Sequence, residues 1–357
     1  MTMPVDKDSK SSADLSISHE LVTLIRGFFA TPVITAVGRL GFFEFILKQP
    51  VFSSSDFPQA ANQSLLKNIF QYLERLDLLK SLQEGQYECT PLGKQIFQRL
   101  SSFLAPHSYG DYMVRLYDQL IQAPPLHQPK VDRLENILGS GRTHERYFPT
   151  AISYIRRKLK PQWIVDIGCG DGKFLGFVLQ DIPEIKSIGI DLSEVSVQTT
   201  QKNLKQRFPG RTIHAFDCNG ADVSTWSQKV KSFVNEESLT ISMWFLLHEI
   251  SERDPSRVIR FLTEVHRLFP RTPLAVCELV RQSAELLAQN RQTLVMPEYL
   301  LFHDISGQGV LSWTEYQTIL KQIPYDLVMQ RTFDEIGSEL ETPEPATFVW
   351  VLVPRPS

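Results

Sequence analysis

Two histidine phrases and one glycine loop carry most of the chemistry open to this chain. His248 stands in Ser242-Met243-Trp244-Phe245-Leu246-Leu247-His248-Glu249-Ile250, where an apolar run ends on an imidazole and a carboxylate. His303 stands 55 positions later in Pro297-Glu298-Tyr299-Leu300-Leu301-Phe302-His303-Asp304. A neutral imidazole accepts a proton near pH 7, and two imidazoles beside a carboxylate make a divalent-metal site with open positions. The glycine loop lies upstream, in the stretch from Ile164 to Leu192 that reads IVDIGCGDGKFLGFVLQDIPEIKSIGIDL. An apolar run ends in Asp166 and meets Gly168-Cys169-Gly170-Asp171-Gly172; a helical segment and a second apolar run ending in Asp191 follow. A strand, loop, helix and strand with an acid at the second strand's tip is the arrangement that holds a nucleoside and its ribose hydroxyls. A dinucleotide fingerprint starting at Gly168 needs glycine at position 173, where Lys173 stands.

These elements must be positioned by a larger frame. From Trp163 onward the pattern alternates strand and helix. Strands are expected at Ile164–Ile167, Ser187–Asp191, Thr212–Asp217, Leu239–Leu246 and Leu274–Val280, with two further apolar runs at Asp326–Phe333 and Thr347–Val353. Such alternation means a parallel sheet with helices on both faces, and ligands of such sheets sit beyond the carboxyl ends of the strands. The glycine loop, Asp191 and Asp217 therefore share one crevice.

The unit closely resembles motif I and the acidic ribose loop of the class I S-adenosylmethionine (SAM) methyltransferases. The resemblance implies a Rossmann-like α/β domain of seven strands whose last strand runs antiparallel, with SAM as cofactor. It implies a cofactor set of Asp166, Gly168, Gly170, Gly172, Asp191, Leu192, Asp217, Cys218 and Trp244. The glycines let the backbone approach the methionine part of SAM. Asp191, an acceptor-only carboxylate, engages both ribose hydroxyls. Asp217, in HAFDCNG, resembles the residue that receives the adenine amino group, with a cap on the following helix as its plainer role.

The 357 residues predict more than one domain, and 42% hydrophobic with 22% charged residues describe a globular protein with a sizeable core. Residues 1–18 are polar, lack an apolar core and are expected to be a disordered tail. Residues 19–100 read as a mainly helical unit with a winged helix: Ser54 or Ser55 caps a short helix, Asn62 a longer one. Two short strands then flank the turn at Glu84-Gly85, and Thr90-Pro91 opens a last helix. Residues 101–160 read as a helical connector contributing to the substrate pocket, and 161–357 as the catalytic domain. Between Val51 and Leu100 the bases Lys67, Arg75, Lys80, Lys94 and Arg99 are balanced by Asp56, Glu74, Asp77, Glu84 and Glu88. That balance, and a net charge of -3, leave no phosphate-binding surface. The unit instead resembles the N-terminal dimerisation domain of small-molecule O-methyltransferases, which implies a homodimer. No run of 18 consecutive apolar residues occurs, so no membrane partner is expected. Cys89, Cys169, Cys218 and Cys277 are scattered, which points to reduced thiols and a cytoplasmic protein.

The phrase around His248 is similar to the end of strand four in the plant-type O-methyltransferases, where it implies a general base for a phenolic hydroxyl. Here Glu249 replaces that family's usual Asp, and His303 follows strand five, where those enzymes place a substrate-binding loop. Both loops face one crevice, so the histidines converge. The pair resembles the 2-oxo acid C-methyltransferases, such as those of 2-ketoarginine and phenylpyruvate. This implies a metal, zinc or iron, held by His248, Glu249 and His303, that stabilises an enolate before the β-carbon is methylated. Arg115, Arg142 or Arg146 is expected to grip the substrate carboxylate, with Tyr112 nearby, and Glu298 or Asp304 to face a substrate guanidinium. The rival readings are a metal-free O-methyltransferase with His248 as base, and a winged-helix regulator that senses SAM or a metabolite.

Overall fold

The structure, a computed structural model, describes residues 12–121, 129–234, 239–290, 296–334, 337–339 and 344–355. The chain divides into two compact units, Met1–His107 and Ser108–Ser357. The boundary falls inside the stretch read from sequence as one connector: residues 101–107 go with the first unit and the rest with the second.

The first unit contains α1 (Ser12–Arg39), α2 (Phe42–Lys48), β1 (Val51–Phe52), α3 (Gln63–Arg75), β2 (Leu79–Ser81), β3 (Tyr87–Cys89), α4 (Pro91–Gln98) and α5 (Ser101–His107). Helix α1 begins inside the stretch expected to be a tail and runs through Pro32; residues 1–11 lie outside the described residues. The Asn62 side chain accepts from Leu65 N at 3.0 Å and that of Thr90 from Gly93 N at 3.0 Å, so both expected caps form. The short turn at Ser54–Asp56 is capped by Ser53, one position before the expected serines. The three strands form an antiparallel sheet in the order β1-β3-β2. Phe42, Phe52, Phe57, Phe70 and Phe97 are fully buried against one another, with the Phe42 and Phe97 ring centres 4.8 Å apart.

The second unit contains α6 (Gly110–Val114), α7 (Leu116–Ile121), α8 (Arg133–His144), α9 (Phe148–Tyr154), β4 (Trp163–Ile167), α10 (Lys173–Asp181), β5 (Lys186–Asp191), α11 (Glu194–Arg207), β6 (Ile213–Asp217), α12 (Val223–Lys231) and β7 (Leu239–Trp244). It continues with α13 (Leu247–Ser251), α14 (Pro255–Leu268), β8 (Leu274–Leu279), α15 (Ala284–Asn290), α16 (Met296–Ile305), α17 (Trp313–Gln322), β9 (Tyr325–Phe333) and β10 (Thr347–Pro354). The sheet order is β6-β5-β4-β7-β8-β10-β9, and β10 runs antiparallel to both its neighbours while the other pairs are parallel. All five residues of β4 and all six of β7 are buried, as strands covered on both faces must be. Chain order reverses across β4 and β7, which opens the crevice where a ligand binds. Strand β7 stops two residues short of the expected Leu246, because Phe245 turns to a φ of 54° and leaves the ladder.

Candidate active site

The glycine loop is held by strand tips. Gly168 N and Cys169 N both donate to Ile190 O, at 2.7 and 3.0 Å, locking the loop over β5. Gly170 and Gly172 have φ values of 56° and 79°, and Gly172 opens α10 with no room for a side chain: a Cβ there would meet Thr200 at 3.0 Å. Asp191 organises this end of the site. Its two carboxylate oxygens accept from Gly170 N at 3.0 Å and Ser193 N at 2.9 Å, and each oxygen keeps a further lone pair for a ligand hydroxyl.

Asp217 pairs with Asp191 in register at the end of β6 and is exposed. The cap of α12 is Asp222, accepting from Thr225 N, so Asp217 is not needed there. Leu192 is 67% exposed at the same rim, while Cys218 is buried beneath it and donates its N–H to Asp191 O at 2.8 Å. Two residues of the expected cofactor set face the interior instead. Asp166 is buried and accepts from Ser242 Oγ at 2.8 Å; burial pushes its carboxyl up to about 8, with the Asp191 charge adding to the rise against the Ser242 hydrogen bond. Trp244 packs with Phe148 and Phe174 in the core between the sheet and the α9–α10 layer, at ring-centre distances of 4.8 and 4.6 Å.

The reaction end is built from segments far apart in sequence. The backward step at Phe245 starts the short α13, which carries His248. His248 is buried, and its Nδ1–H donates to Glu278 Oε1 at 2.8 Å. Glu278, fully buried on β8, also accepts from His248 N at 3.2 Å and Leu279 N at 2.7 Å. Burial depresses the His248 pKa, but the charge and hydrogen bond of Glu278, with help from Glu249, outweigh it and leave the pKa raised. With Nδ1 committed, Nε2 carries the free lone pair.

His303, on α16, stands edge to face with His248, ring centres 4.7 Å apart and planes at 84°. Its Nδ1 lies 2.5 Å from Tyr299 O, an acceptor, so Nδ1 bears the hydrogen and Nε2 the lone pair. Burial, then the neighbouring His248, push its pKa down to about 3, and the ring is neutral. A third imidazole, His144 at the end of α8, stacks on Phe245 at 3.6 Å and is held at about 3 by burial and by the charge of His248. Tyr109 stacks on Phe302 at 4.3 Å to complete an aromatic surround.

Sequence reasoning passed over two of these groups. Glu278 is visible as a carboxylate inside the apolar run Leu274–Val280, and His144 as a lone imidazole in the connector.

The other expected residues are placed as follows. Glu249 is exposed, because neighbours on a helix point apart, and among the described residues no group of three or more His, Cys, Asp or Glu side chains is placed to hold a metal ion. Asp304 is engaged by Arg281 and Arg253, at 2.5 and 2.7 Å. Arg115 pairs with Asp111 at 2.7 Å, Tyr112 is half-buried 6.1 Å from Tyr109, and Glu298 is exposed. Arg146 lies over Gly337, where a Cβ would meet its Cδ, and 6.0 Å from the Tyr147 ring centre. The Arg142 side chain lies outside the described residues.

Residues 128–216, from the connector through the glycine loop to β6, match the AprA MT2-like methyltransferase domain family. None of the curated proteins matches the chain in sequence. Solved structures do match over nearly the whole length. Human N-acetylserotonin methyltransferase, in complex with SAM, superposes with a TM-score of 0.61 at 14% identity, covering 99% of this chain and 100% of that one. An O-methyltransferase family protein from Burkholderia thailandensis gives 0.61 at 12% identity, covering 95% and 98%. The mitomycin 7-O-methyltransferase gives 0.57 at 12% identity, covering 96% and 100%. These likenesses establish the class I methyltransferase fold. The family match adds that residues 128–216, which carry the glycine loop and the acidic rim, resemble a methyltransferase domain.

Proposed function

We propose that this enzyme methylates a weakly acidic hydroxyl on a small ring-bearing metabolite, with His248 as general base and Glu278 as the group that orients it. The observation that carries this reading is the buried Glu278–His248 pair. It fixes the tautomer, aims Nε2 outward and raises the affinity of the ring for a proton. In the reaction the hydroxyl proton passes to His248 Nε2, and the oxygen lone pair forms the new O–CH3 bond. The S–CH3 bond breaks at the same time, and its electrons neutralise the sulfonium as the thioether product. The protein's remaining task is to align oxygen, methyl and sulfur, with oxygen and carbon about 3 Å apart. The neutral state of His303 and His144 suits a site that must hold a sulfonium and a newly formed imidazolium together.

A second reading rests on the His248–His303 apposition. Both Nδ1 hydrogens are tied down and both lone pairs sit on Nε2, the outer-shell arrangement of metal-ligating histidines. Two imidazoles sharing a cation with a 90–110° angle have centres about 4.5–5 Å apart, so the observed 4.7 Å fits. Glu249 does not join them, so a cation here would take its remaining ligands from the substrate, as a 2-oxo acid provides. Bound, it would supply Lewis acidity for carbon methylation.

Radiolabelled methyl transfer to a panel of phenols and 2-oxo acids, before and after exhaustive chelation, separates the two. Transfer to a phenol that survives chelation is the expected result. Transfer confined to 2-oxo acids and abolished by chelation would install the second reading. The homodimer belongs to the same proposal: α1 leaves Leu21, Leu24 and Phe28 more than half exposed, an apolar face that a second copy would cover. By length and composition alone, Leu21–Arg39 also meets the requirement for a membrane span.

A further inference from the structure

Of the three imidazoles at the reaction end, His144 is the one the methyl-transfer mechanism leaves unused. Nδ1 of His248 is committed to Glu278 and Nδ1 of His303 to Tyr299 O. His144 makes no hydrogen bond with any described residue. Its contact is a stack, with ring centres 3.6 Å apart and planes at 20° to Phe245. Stacking covers a face of the ring and leaves the nitrogen-bearing edge for something else. The residue is only half-buried, and neither nitrogen is shut off from solvent. Its place is nevertheless fixed. The next residue, Glu145, pairs with Lys173 Nζ at 2.8 Å, and Lys173 opens α10 directly after the glycine loop. Earlier on the same helix, Ile137 Cγ2 lies 3.5 Å from where a Cβ on Gly170 would stand. Tyr147, just beyond, is buried with its ring centre 4.8 Å from that of Phe333.

These contacts seat His144 between the two ends of the crevice. Glu145 and Ile137 tie its helix to the glycine loop, and Phe245 begins the turn that carries His248. That junction is where a methyl group must pass from sulfur to oxygen. Burial, then the charge of His248, hold the His144 pKa at about 3, so the ring stays a neutral donor there. A cation at this point would repel the sulfonium; a neutral N–H does not. We propose that His144 is a further catalytic residue, whose ring N–H donates to the reacting oxygen as negative charge grows on it. In the step, the hydroxyl proton passes to His248 Nε2 and the oxygen keeps the electron pair. The His144 proton stays on its ring and only forms a hydrogen bond, which weakens again once the pair becomes the O–CH3 bond. A fixed donor aimed at the atom that gains charge lowers the barrier. The inference rests on the O-methylation reading for the identity of the reacting group, but its test needs no turnover.

The test is visible absorption of 4-nitrophenol bound to the full-length, chelator-treated protein saturated with S-adenosylhomocysteine. Only the phenolate of this probe is strongly coloured, so the spectrum reads the bound ratio of phenolate to phenol. The wild type should hold the probe more ionised than free solution does at the same pH. His144→Phe keeps a flat ring on Phe245 and loses the N–H. The ratio should then fall about ten-fold, the effect of one hydrogen bond to a charged oxygen. His144→Leu should do the same and guards against a folding failure in the first variant; unchanged S-adenosylhomocysteine affinity by calorimetry shows that a variant is folded. His144→Gln, which returns a neutral N–H, should recover part of the ratio. The proposal is overturned by an unchanged ratio in a folded Phe or Leu variant, or by a Gln variant as low as Phe. It is equally overturned if the wild type does not bind or further ionise the probe, or if all three variants lose S-adenosylhomocysteine. His248→Asn in the same measurement separates the two claims. A ratio that follows His144 and ignores His248 removes the base assignment and leaves the role of His144 standing.

Discussion

The two ends of the catalytic crevice are built on opposite principles. The cofactor end is almost all backbone: three glycines at positive φ, two N–H groups clamped on Ile190 O, and one carboxylate spanning loop and strand, all within 26 residues. The reaction end is almost all side chain. His144, His248, Glu278 and His303 come from α8, α13, β8 and α16. Backbone geometry suits recognition of what does not change between substrates, which under the proposed function is a nucleoside and a sulfonium. Side chains on separate elements are where one member of a fold comes to differ from another.

Mutations should fail in different ways at the two ends. The largest effect is expected from His248→Asn, which removes the proposed base: kcat should fall about 10³-fold, with S-adenosylhomocysteine affinity unchanged by calorimetry. Loss of cofactor affinity in that variant would erase the distinction between the ends. Asp191→Ala should do the reverse, weakening SAM binding about 10²-fold by removing charge-assisted hydrogen bonds, with most of kcat regained at saturation. Glu278→Gln should lower kcat about 10–100-fold, the usual effect of losing the group that orients a functional histidine. Its sharper signature is in pH. A base must be neutral to accept a proton, and Glu278 raises the His248 pKa, so under the proposed mechanism wild-type activity should rise with pH through a limb above the ordinary imidazole value of about 6.5. That limb should move to lower pH in Glu278→Gln; a limb that stays put would mean another group titrates.

The smallest effect is on stability. Asp166 has its folded pKa raised to about 8, above the unfolded value of about 3.9, so the folded state binds the extra proton. Its contribution is complete below the unfolded pKa and is lost as pH rises through about 8. Denaturant titrations should show wild type losing up to about 1.4 kcal/mol per pH unit across that window, and Asp166→Asn losing less. Equal slopes would show that the carboxyl is ionised throughout.

The legibility of the molecule follows the same division. Strand starts, the glycine loop and the caps at Asn62 and Thr90 were readable because each depends on residues within one turn or one strand. The end of β7 was not, since nothing in Trp244-Phe245-Leu246 announces a left-handed phenylalanine; it is imposed by packing against His144 and by the bond from Phe245 N to Cys277 O. Asp304 was offered to a substrate because its neighbours in sequence do not reveal Arg253 and Arg281. Glu249 was offered to a metal because adjacency in sequence looks like adjacency in space. On a helix it is the opposite.

The sequence by itself determined the parallel sheet, the loop that approaches a nucleoside and the acid at its rim, because continuous apolar runs and glycines at fixed spacing act locally. Only the tertiary structure decided which atoms of the reaction end are available. A hydrogen bond across 30 positions to Glu278 commits Nδ1 of His248, and one across four to Tyr299 O commits Nδ1 of His303. A side chain's free valence is set by whatever neighbour takes its other atoms, and that neighbour is chosen by packing between elements remote in the chain.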